Sequence, residues 1–383
     1  MKKILITYAT AGVGHKKAAL AIKSAFEEKN IGNDIRTIDV LDYTNAFFKK
    51  SYPYTYLLLV NKLIILWGLL YYLLDLKLTH YLFYPFRKIS HILNSKRLIK
   101  YILEFKPDVI ISTHFLTADI LAYVKKKHKL DIQMINVVTD YRLHSFWISE
   151  AVDIYTVGDD EAKMDLIRKW KVEPDKIKVF GIPIEPKFLV KHDKNNIRQK
   201  LKLPPKFTVL LLSGGYGVGP ILEILKILNE SKIEMSAVTV CGHNNDLYNK
   251  VNTFKNNAGF NLVNFAYVDN VDELMAASDV YIGKAGGISS TEALAQGLPS
   301  VFVRPIPGQE KRNADLLIRM GCGIVVKKIN NIGHIVKNLK ESEDKIKIFK
   351  ERIKKNKKVN AARDIVEFVL KEISEKVLKT RNL

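Results

Sequence analysis

Two rhythms of apolar and polar positions alternate along this chain, and together they predict an α/β protein. Residues 4–8 form a short apolar run with the look of a buried strand. Residues 18–28 place Ala19, Ile22 and Phe26 on one helical face, and residues 34–41 (DIRTIDVL) alternate like a second strand. Strand-like runs recur at 107–112, 133–138, 154–157 and 177–179, separated by helical or loop segments. Residues 185–206 then turn polar and lysine-rich around Pro186, Pro204 and Pro205, as a boundary does. Beyond them a second series begins, with strands at 208–212, 236–241, 262–265, 280–282 and 300–303 and a helix over 220–229. Such alternation predicts parallel sheets flanked by helices, whose ligands bind outside the carboxyl ends of the strands. The expected organisation is a Rossmann-like domain over residues 1–190, a second over 191–345, and a helical tail, 346–383, available to pack back on the first.

One block breaks the rhythm. Residues 47–106 hold fourteen aromatics and ten Lys or Arg, against only Asp75 and Glu104 as acids. Its longest clean apolar run, 63–74, rises about 18 Å as a helix, short of the roughly 30 Å of a hydrocarbon core. It therefore reads as buried or interfacial, not spanning. The apolar run at the start is too short for a secretory leader and reads as the first strand, despite the small residues Ala9 and Ala11. Cys241 and Cys322 have no partner at metal-ligand spacing and read as reduced thiols. A formal charge of +21 favours polyanions, either nucleic acid or an anionic membrane.

Three stretches carry candidate chemistry. In GKAGGISSTEALAQGLPSVFVRPIPGQEKRN, Gly286 and Gly287 allow close backbone approach ahead of a helix expected to start near Ser289, where N–H groups and the helix dipole favour a diphosphate. Glu292 offers two acceptors to ribose hydroxyls, and Gln309 with Glu310 suits sugar hydroxyls; the competing account is a capping box, Ser289 to Glu292. Gly214 and Gly215, in the turn after the strand at 208–212, are weaker candidates, because that turn lacks the Lys-Ser/Thr of a P-loop. In VVTDYRLHSFW, Asp140 and His144 follow a strand end, and a histidine titrates near neutrality. His15, after the early glycines, is open to three readings: chemistry at a loop tip, part of a phosphate cradle, or a polar cap.

The combination AGVGHKKAA, VVTDYRLHSFW, GIPI at 181–184 and the long glycine motif resembles the monogalactosyldiacylglycerol synthases and the bacterial processive diacylglycerol glucosyltransferases. These are related to the N-acetylglucosaminyltransferase that makes lipid II. The resemblance runs in order from about residue 4 to 330 and is least clear over 45–105. It implies a GT-B fold, two doubly wound domains facing a cleft, and inverting transfer of glucose or galactose from UDP-glucose or UDP-galactose to diacylglycerol or a related membrane lipid. Glu292 takes the family's ribose position, residues 286–290 (with Ser289 and Ser290) the diphosphate helix, and Gln309 with Glu310 the sugar loop. The backbone near Tyr267 and Val268 falls where uracil is held. His15 matches the histidine put forward as general base, with Asp140 the other candidate as base or orienting group. Ala285 stands where relatives often have proline and Val13 where glycine is common. No DxD metal motif is present, and no metal or cofactor is expected.

With that resemblance the basic–aromatic block, 45–106, gains a role as an interfacial insertion. Lys62, Trp67, Tyr71, Tyr72, Arg87 and Lys88, together with His144 and Trp147, are expected to meet the lipid acceptor or anionic headgroups. The expected location is the cytoplasmic face of a membrane, bound peripherally, with no nucleic-acid partner. Two other functions compete: a soluble UDP-sugar 2-epimerase on the same architecture, and a non-enzymatic binder of anionic surfaces or nucleic acid. The first would turn over without lipid; the second would bind polyanions with no affinity for a UDP-sugar.

Overall fold

The computed structural model describes residues 2–10, 12–30 and 32–381, from residue 375 onward by the backbone alone; Ala11 lies outside the described residues. The chain divides into two units. The first takes the residues up to Pro186, Pro307–Gln309 and the chain from Lys358; the second takes Lys187–Ile306 and Glu310–Lys357.

The first unit is built on β1 (Lys3–Tyr8), β2 (Asp34–Asp39), β3 (Val109–Ser112), β4 (Gln133–Val137), β5 (Ile154–Thr156) and β6 (Ile177–Lys178). They form a parallel six-stranded sheet in the order β2-β1-β3-β4-β5-β6. Its helices in chain order are α1 (Val13–Glu28), α2 (Ala46–Lys62), α3 (Ile64–Leu74), α4 (Lys77–Asn94), α5 (Lys96–Phe105), α6 (Leu116–His128) and α7 (Asp160–Trp170). A sheet covered on both faces needs strands apolar on both sides. In β1, Ile4 and Ile6 face one layer and Leu5 the other. The first layer is α1 together with a helix from the chain's far end, Ala361–Arg381, whose Ile365, Val366 and Val369 are buried there. The second is α5, α6 and α7, through Leu98, Ile102, Ile120, Leu121 and Leu166.

The basic–aromatic block is helical throughout, as α2 to α5. Among the described residues no single helix is long and apolar enough to cross a membrane; α2 and α3 reach that length together but bend by 115°. Much apolar surface remains exposed on α3 and α4, with Ile65 at 86%, Leu69 at 66%, Leu78 at 71% and Phe86 at 72%.

The charges of α4 behave differently from the expectation. Arg87 is not presented to a lipid surface: its Nε and Nη2 donate at 2.9 and 3.1 Å to the fully buried carboxylate of Asp119 on α6. His91 Nδ1 lies 2.8 Å from the same carboxylate. Lys88 is paired with Glu150. The reason is burial: a carboxylate inside the protein requires a charged partner, and the planar guanidinium meets it with two bonds. Asp119→Ala would strand the Arg87 charge. We expect a loss of about 3–5 kcal/mol in urea unfolding, with the bond between α4 and α6 gone.

The second unit carries β7 (Thr208–Leu212), β8 (Ser236–Val240), β9 (Asn261–Phe265), β10 (Val280–Gly283), β11 (Ser300–Val303) and β12 (Gly323–Val326), in the parallel order β12-β11-β10-β7-β8-β9. Around them run α8 (Lys194–Lys200), α9 (Ile221–Glu230), α10 (Asn245–Lys255), α11 (Val271–Ala277), α12 (Gly287–Ala295), α13 (Gln309–Arg319), α14 (Ile332–Glu341) and α15 (Glu343–Asn356). The terminal helix of the first unit is α16 (Ala361–Arg381). On one face of this sheet an apolar core, with Val209, Leu211, Leu225, Leu228, Val301 and Val336 fully buried or nearly so, fixes α9 and α14. Both sheets are doubly wound, as the alternating pattern predicts.

Candidate active site

In a doubly wound sheet the strand order reverses at one point, and the loops leaving the carboxyl ends there diverge to form a crevice. In the first unit that point lies between β1 and β3. His15 is not at a loop tip: α1 begins at Val13, with Gly12 extended as its N-cap, so His15 stands in the first turn of the helix. Its Nδ1 is 2.6 Å from the carbonyl oxygen of Thr113, just past β3, and 3.1 Å from Thr139 Oγ1. A carbonyl only accepts, so Nδ1 carries the hydrogen and Nε2 keeps its lone pair. Thr113 Oγ1 donates back to the His15 carbonyl at 2.8 Å, closing a two-way tie. The next residue, His114, is buried and meets the His15 ring edge-on with centroids 4.7 Å apart; its Nδ1 accepts from the Leu116 N–H at 3.2 Å.

Burial pulls the His15 pKa down to about 4, against the opposing bond to the Thr113 carbonyl. His114 is held well below its ordinary value, first by burial and then by the neighbouring His15, His91 and Arg87. Both imidazoles are therefore neutral at pH 7, and His15 is present as a base. A base with its pKa lowered loses activity only as pH falls through the lowered value. The acid limb of kcat/KM should lie near 4 and not near 6.5; a limb at 6.5 would remove His15 from the role.

These loops open on a cavity of about 440 Å³ in the first unit, lined by His15, Tyr52, Trp67, Tyr71, His114, Asp140, His144, Trp147 and Gln309 among others. Asp140 is half-buried and shares the cavity with His15. His144 has both ring nitrogens engaged. Its Nδ1 accepts from the Phe146 N–H at 3.1 Å, and Nε2 donates to the Tyr71 carbonyl at 3.0 Å. It therefore fastens its loop to α3. Asp75, which follows α3, reinforces that join by accepting from the Ser145 N–H at 2.7 Å and from Lys169 at 2.9 Å. Trp147 and Tyr71 are buried, at 4% and 6% exposure, and so line the cavity without forming outer surface. Lys62 and Tyr72 are exposed. Gln309, which groups with the first unit, donates through Nε2 to Tyr56 Oη at 2.9 Å. Its Oε1 and the indole Nε1 of Trp67 are buried polar atoms with no hydrogen-bond partner.

In the second unit the order reverses between β7 and β10, and both flagged glycine segments leave the sheet there. After β7, Gly214 (φ 71°) is exposed with open space above it, while the Gly215 carbonyl accepts from His243 N–H at 3.0 Å. Gly217 (φ 67°) is structural: a Cβ there would come within 2.4 Å of the Cys241 carbonyl. After β10, α12 starts at Gly287 with Gly286 as an uncapped N-cap, two residues ahead of the expected start. Ser289 and Glu292 consequently form no capping box; the Ser289 hydroxyl faces back to the Gly286 carbonyl at 3.4 Å. Ser290 Oγ is buried without a partner, and Glu292 is 2% exposed. The Tyr267 ring, 41% exposed, lies parallel on His243 with centroids 4.4 Å apart, and Val268 follows half-buried. Glu310 Oε2 accepts from the Ile306 N–H at 3.0 Å, bracing its own loop. Among the described residues no group of three or more His, Cys, Asp or Glu side chains is placed to hold a metal ion. Thr113, Thr139, His114 and His243 were invisible as site residues in the sequence, because the residues they meet, His15 for the first three and Tyr267 for the last, lie far off along the chain.

Two family models match the chain in succession: monogalactosyldiacylglycerol (MGDG) synthase over residues 15–184, and the glycosyltransferase family 28 C-terminal domain over 219–369. The processive diacylglycerol beta-glucosyltransferase of Bacillus subtilis is 32% identical over 382 residues, covering 97% of this chain and 95% of that protein. The chain belongs to the diacylglycerol glucosyltransferase family. The protein of the same name from Bacillus pumilus is also 32% identical, with the same coverage on both sides. Among solved structures, Acinetobacter baumannii MurG superposes with a TM-score of 0.60 at 13% identity, covering 97% of this chain and all of that one. A Neisseria meningitidis UDP-GlcNAc 2-epimerase bound to UDP-GlcNAc does so at 0.60 and 17%, with the same coverage. At such identities these likenesses show the fold alone, the GT-B class. The choice between transferase and epimerase rests on the family, which is that of the glucosyltransferases.

Proposed function

We propose that this chain is an inverting glycosyltransferase that moves a hexose from a UDP-sugar to the free hydroxyl of diacylglycerol at a membrane surface. The observation that carries the reading is the environment of His15: a neutral imidazole whose tautomer is set by Thr113, in an aromatic-lined cavity of the first unit. The work divides between the units. The first takes the acceptor, whose hydroxyl proton passes to His15 Nε2, with Asp140 orienting the acceptor in the same cavity. The second holds the donor: residues 286–290 take the diphosphate at the N-terminus of α12, Glu292 the ribose, and Glu310 the sugar hydroxyls. Gly214 and Gly215 flank the nucleotide, and Tyr267 with Val268 takes the uracil. As the acceptor oxygen attacks the anomeric carbon, the bond to UDP breaks and its electron pair leaves with the β-phosphate. One displacement inverts the anomeric centre.

The exposed apolar side chains of α3 and α4, with the chain's positive charge, support peripheral binding to an anionic membrane. Glucose is the sugar named for the Bacillus relatives, and we assign it here in preference to galactose. The test is incubation with UDP-glucose, UDP-galactose and UDP-N-acetylglucosamine separately, over vesicles containing diacylglycerol, with mass spectrometry of the lipid fraction. A hexosyl-diacylglycerol from UDP-glucose is expected. A free sugar-nucleotide epimer formed without lipid would identify the epimerase function instead.

A further inference from the structure

His114 lines the same cavity as His15 and has no role in the reading so far. The residue is 2% exposed, and its ring is held by three others. Phe115 stacks on it with centroids 4.2 Å apart, His15 meets it edge-on at 4.7 Å, and Tyr52 does so at 6.0 Å. The backbone beneath is fixed as well, because the Ser112 hydroxyl donates to the His114 carbonyl at 2.6 Å. The hydrogen bond from the Leu116 N–H to Nδ1, at 3.2 Å, then decides the tautomer. An Nδ1 that accepts carries no hydrogen, so in the neutral ring the hydrogen sits on Nε2. Among the described residues that N–H has no acceptor.

A buried donor left unpaired is destabilising, and one in a cavity wall is completed by what enters the cavity. Burial, with His15, His91 and Arg87 nearby, keeps this imidazole neutral, so it offers one hydrogen and no charge. The same wall carries a second unpartnered donor, the Trp67 indole N–H, and one unpartnered acceptor, Gln309 Oε1. Arg142, also on the wall, is taken up by Glu161 and Asp165. Around them stand Phe48, Leu59, Tyr71 and Phe115. Neutral donors set among apolar and aromatic side chains suit uncharged oxygens carried on hydrocarbon. An ester carbonyl is such an oxygen, and diacylglycerol has two; the Gln309 oxygen is left for a hydroxyl.

We propose that the His114 Nε2–H binds an ester carbonyl of the acceptor lipid, and that the first unit thereby distinguishes an ester lipid from an ether lipid. The proposal rests on the diacylglycerol reading above. A carbonyl held on His114 fixes the lipid beside His15, whose ring lies against the same imidazole. The two histidines then divide the work by tautomer: His114 presents a hydrogen and holds, whereas His15 presents a lone pair and takes the proton.

Kinetics of the full chain with UDP-glucose in mixed micelles test this with two acceptors. One is 1,2-dioleoylglycerol; the other is the matching dialkyl ether, which keeps the hydroxyl and both chains and has no carbonyl. We expect KM for the ether to exceed KM for the ester by roughly three- to tenfold, the range of one neutral hydrogen bond. His114→Phe keeps an aromatic ring and lacks the N–H. It should raise KM for the ester by about that factor and for the ether much less, so that the preference disappears. Equal KM values for the two lipids in the unmodified chain would overturn the assignment, and that measurement requires no variant to fold. So would an ester preference left intact in His114→Phe. A loss confined to kcat would do the same, marking His114 as a support of the His15 ring. Failure of the unmodified chain to transfer glucose to either lipid would instead overturn the diacylglycerol reading beneath it.

Discussion

A His15→Ala enzyme should turn over about 10²- to 10⁴-fold more slowly than the unmodified chain, the usual contribution of a positioned general base. The loss should appear in kcat, because the imidazole acts on the acceptor hydroxyl while bonds are changing and does little for ground-state binding. UDP affinity should stay within about twofold, because a general base acts on the acceptor hydroxyl and not on the nucleotide. The geometry makes the substitution informative. His15 is tied to Thr113 through both ring and backbone, and the backbone tie to the Thr113 hydroxyl survives truncation of the side chain. Asp140→Asn is the companion variant, because Asp140 lines the same cavity. If His15→Ala kept near-normal turnover and Asp140→Asn abolished it, the base would be Asp140. Thr113 accepts through its backbone carbonyl, which no side-chain substitution removes, so the tautomer of His15 is set by the fold itself.

The second large effect concerns the membrane. Replacing Ile65, Leu69 and Phe86 together by aspartate should cut binding to anionic vesicles by roughly a thousandfold or more, as burying each such side chain contributes about 1.5–3 kcal/mol. All three are mostly exposed in the structure, so the substitutions should leave the thermal midpoint nearly unchanged. Transfer to a dispersed short-chain diacylglycerol should survive where transfer to vesicles does not, which separates docking from chemistry. Vesicle sedimentation at low and high salt gives the readout, with the electrostatic part of binding weakening as salt rises. Undiminished vesicle binding by the triple variant would place the membrane contact elsewhere.

How far the sequence displayed all this depended on how local each signal was. Strand β7 is legible to the residue because four apolar positions follow a β-branched threonine and end at Ser213 and a glycine-rich turn. Strand β12 escaped notice, being four residues long with glycine at its start and only two of its positions fully buried. The glycines around His15 suggested a loop, yet Gly12 is an extended cap and Gly14 lies inside α1, so the histidine gains the fixed geometry of a helix. The Ser289-to-Glu292 spacing resembled a capping box, but the helix starts earlier because Gly286 takes the cap position. The proposed donor residues were the easier to pick out, since most of them fall in one continuous stretch, 286–310. On the acceptor side, Thr113, Thr139 and the Arg87–Asp119 pair act across long separations in the chain, and no local pattern announces such partners.

Whether the hydroxyl of diacylglycerol receives the hexose is decided by radiolabelled UDP-glucose over two kinds of vesicle. One contains diacylglycerol; the other contains the same lipid with its free hydroxyl methylated. Label is expected in the lipid fraction, matched by UDP release, with the first vesicle and neither with the second. UDP released equally from both, with no labelled lipid, would contradict it.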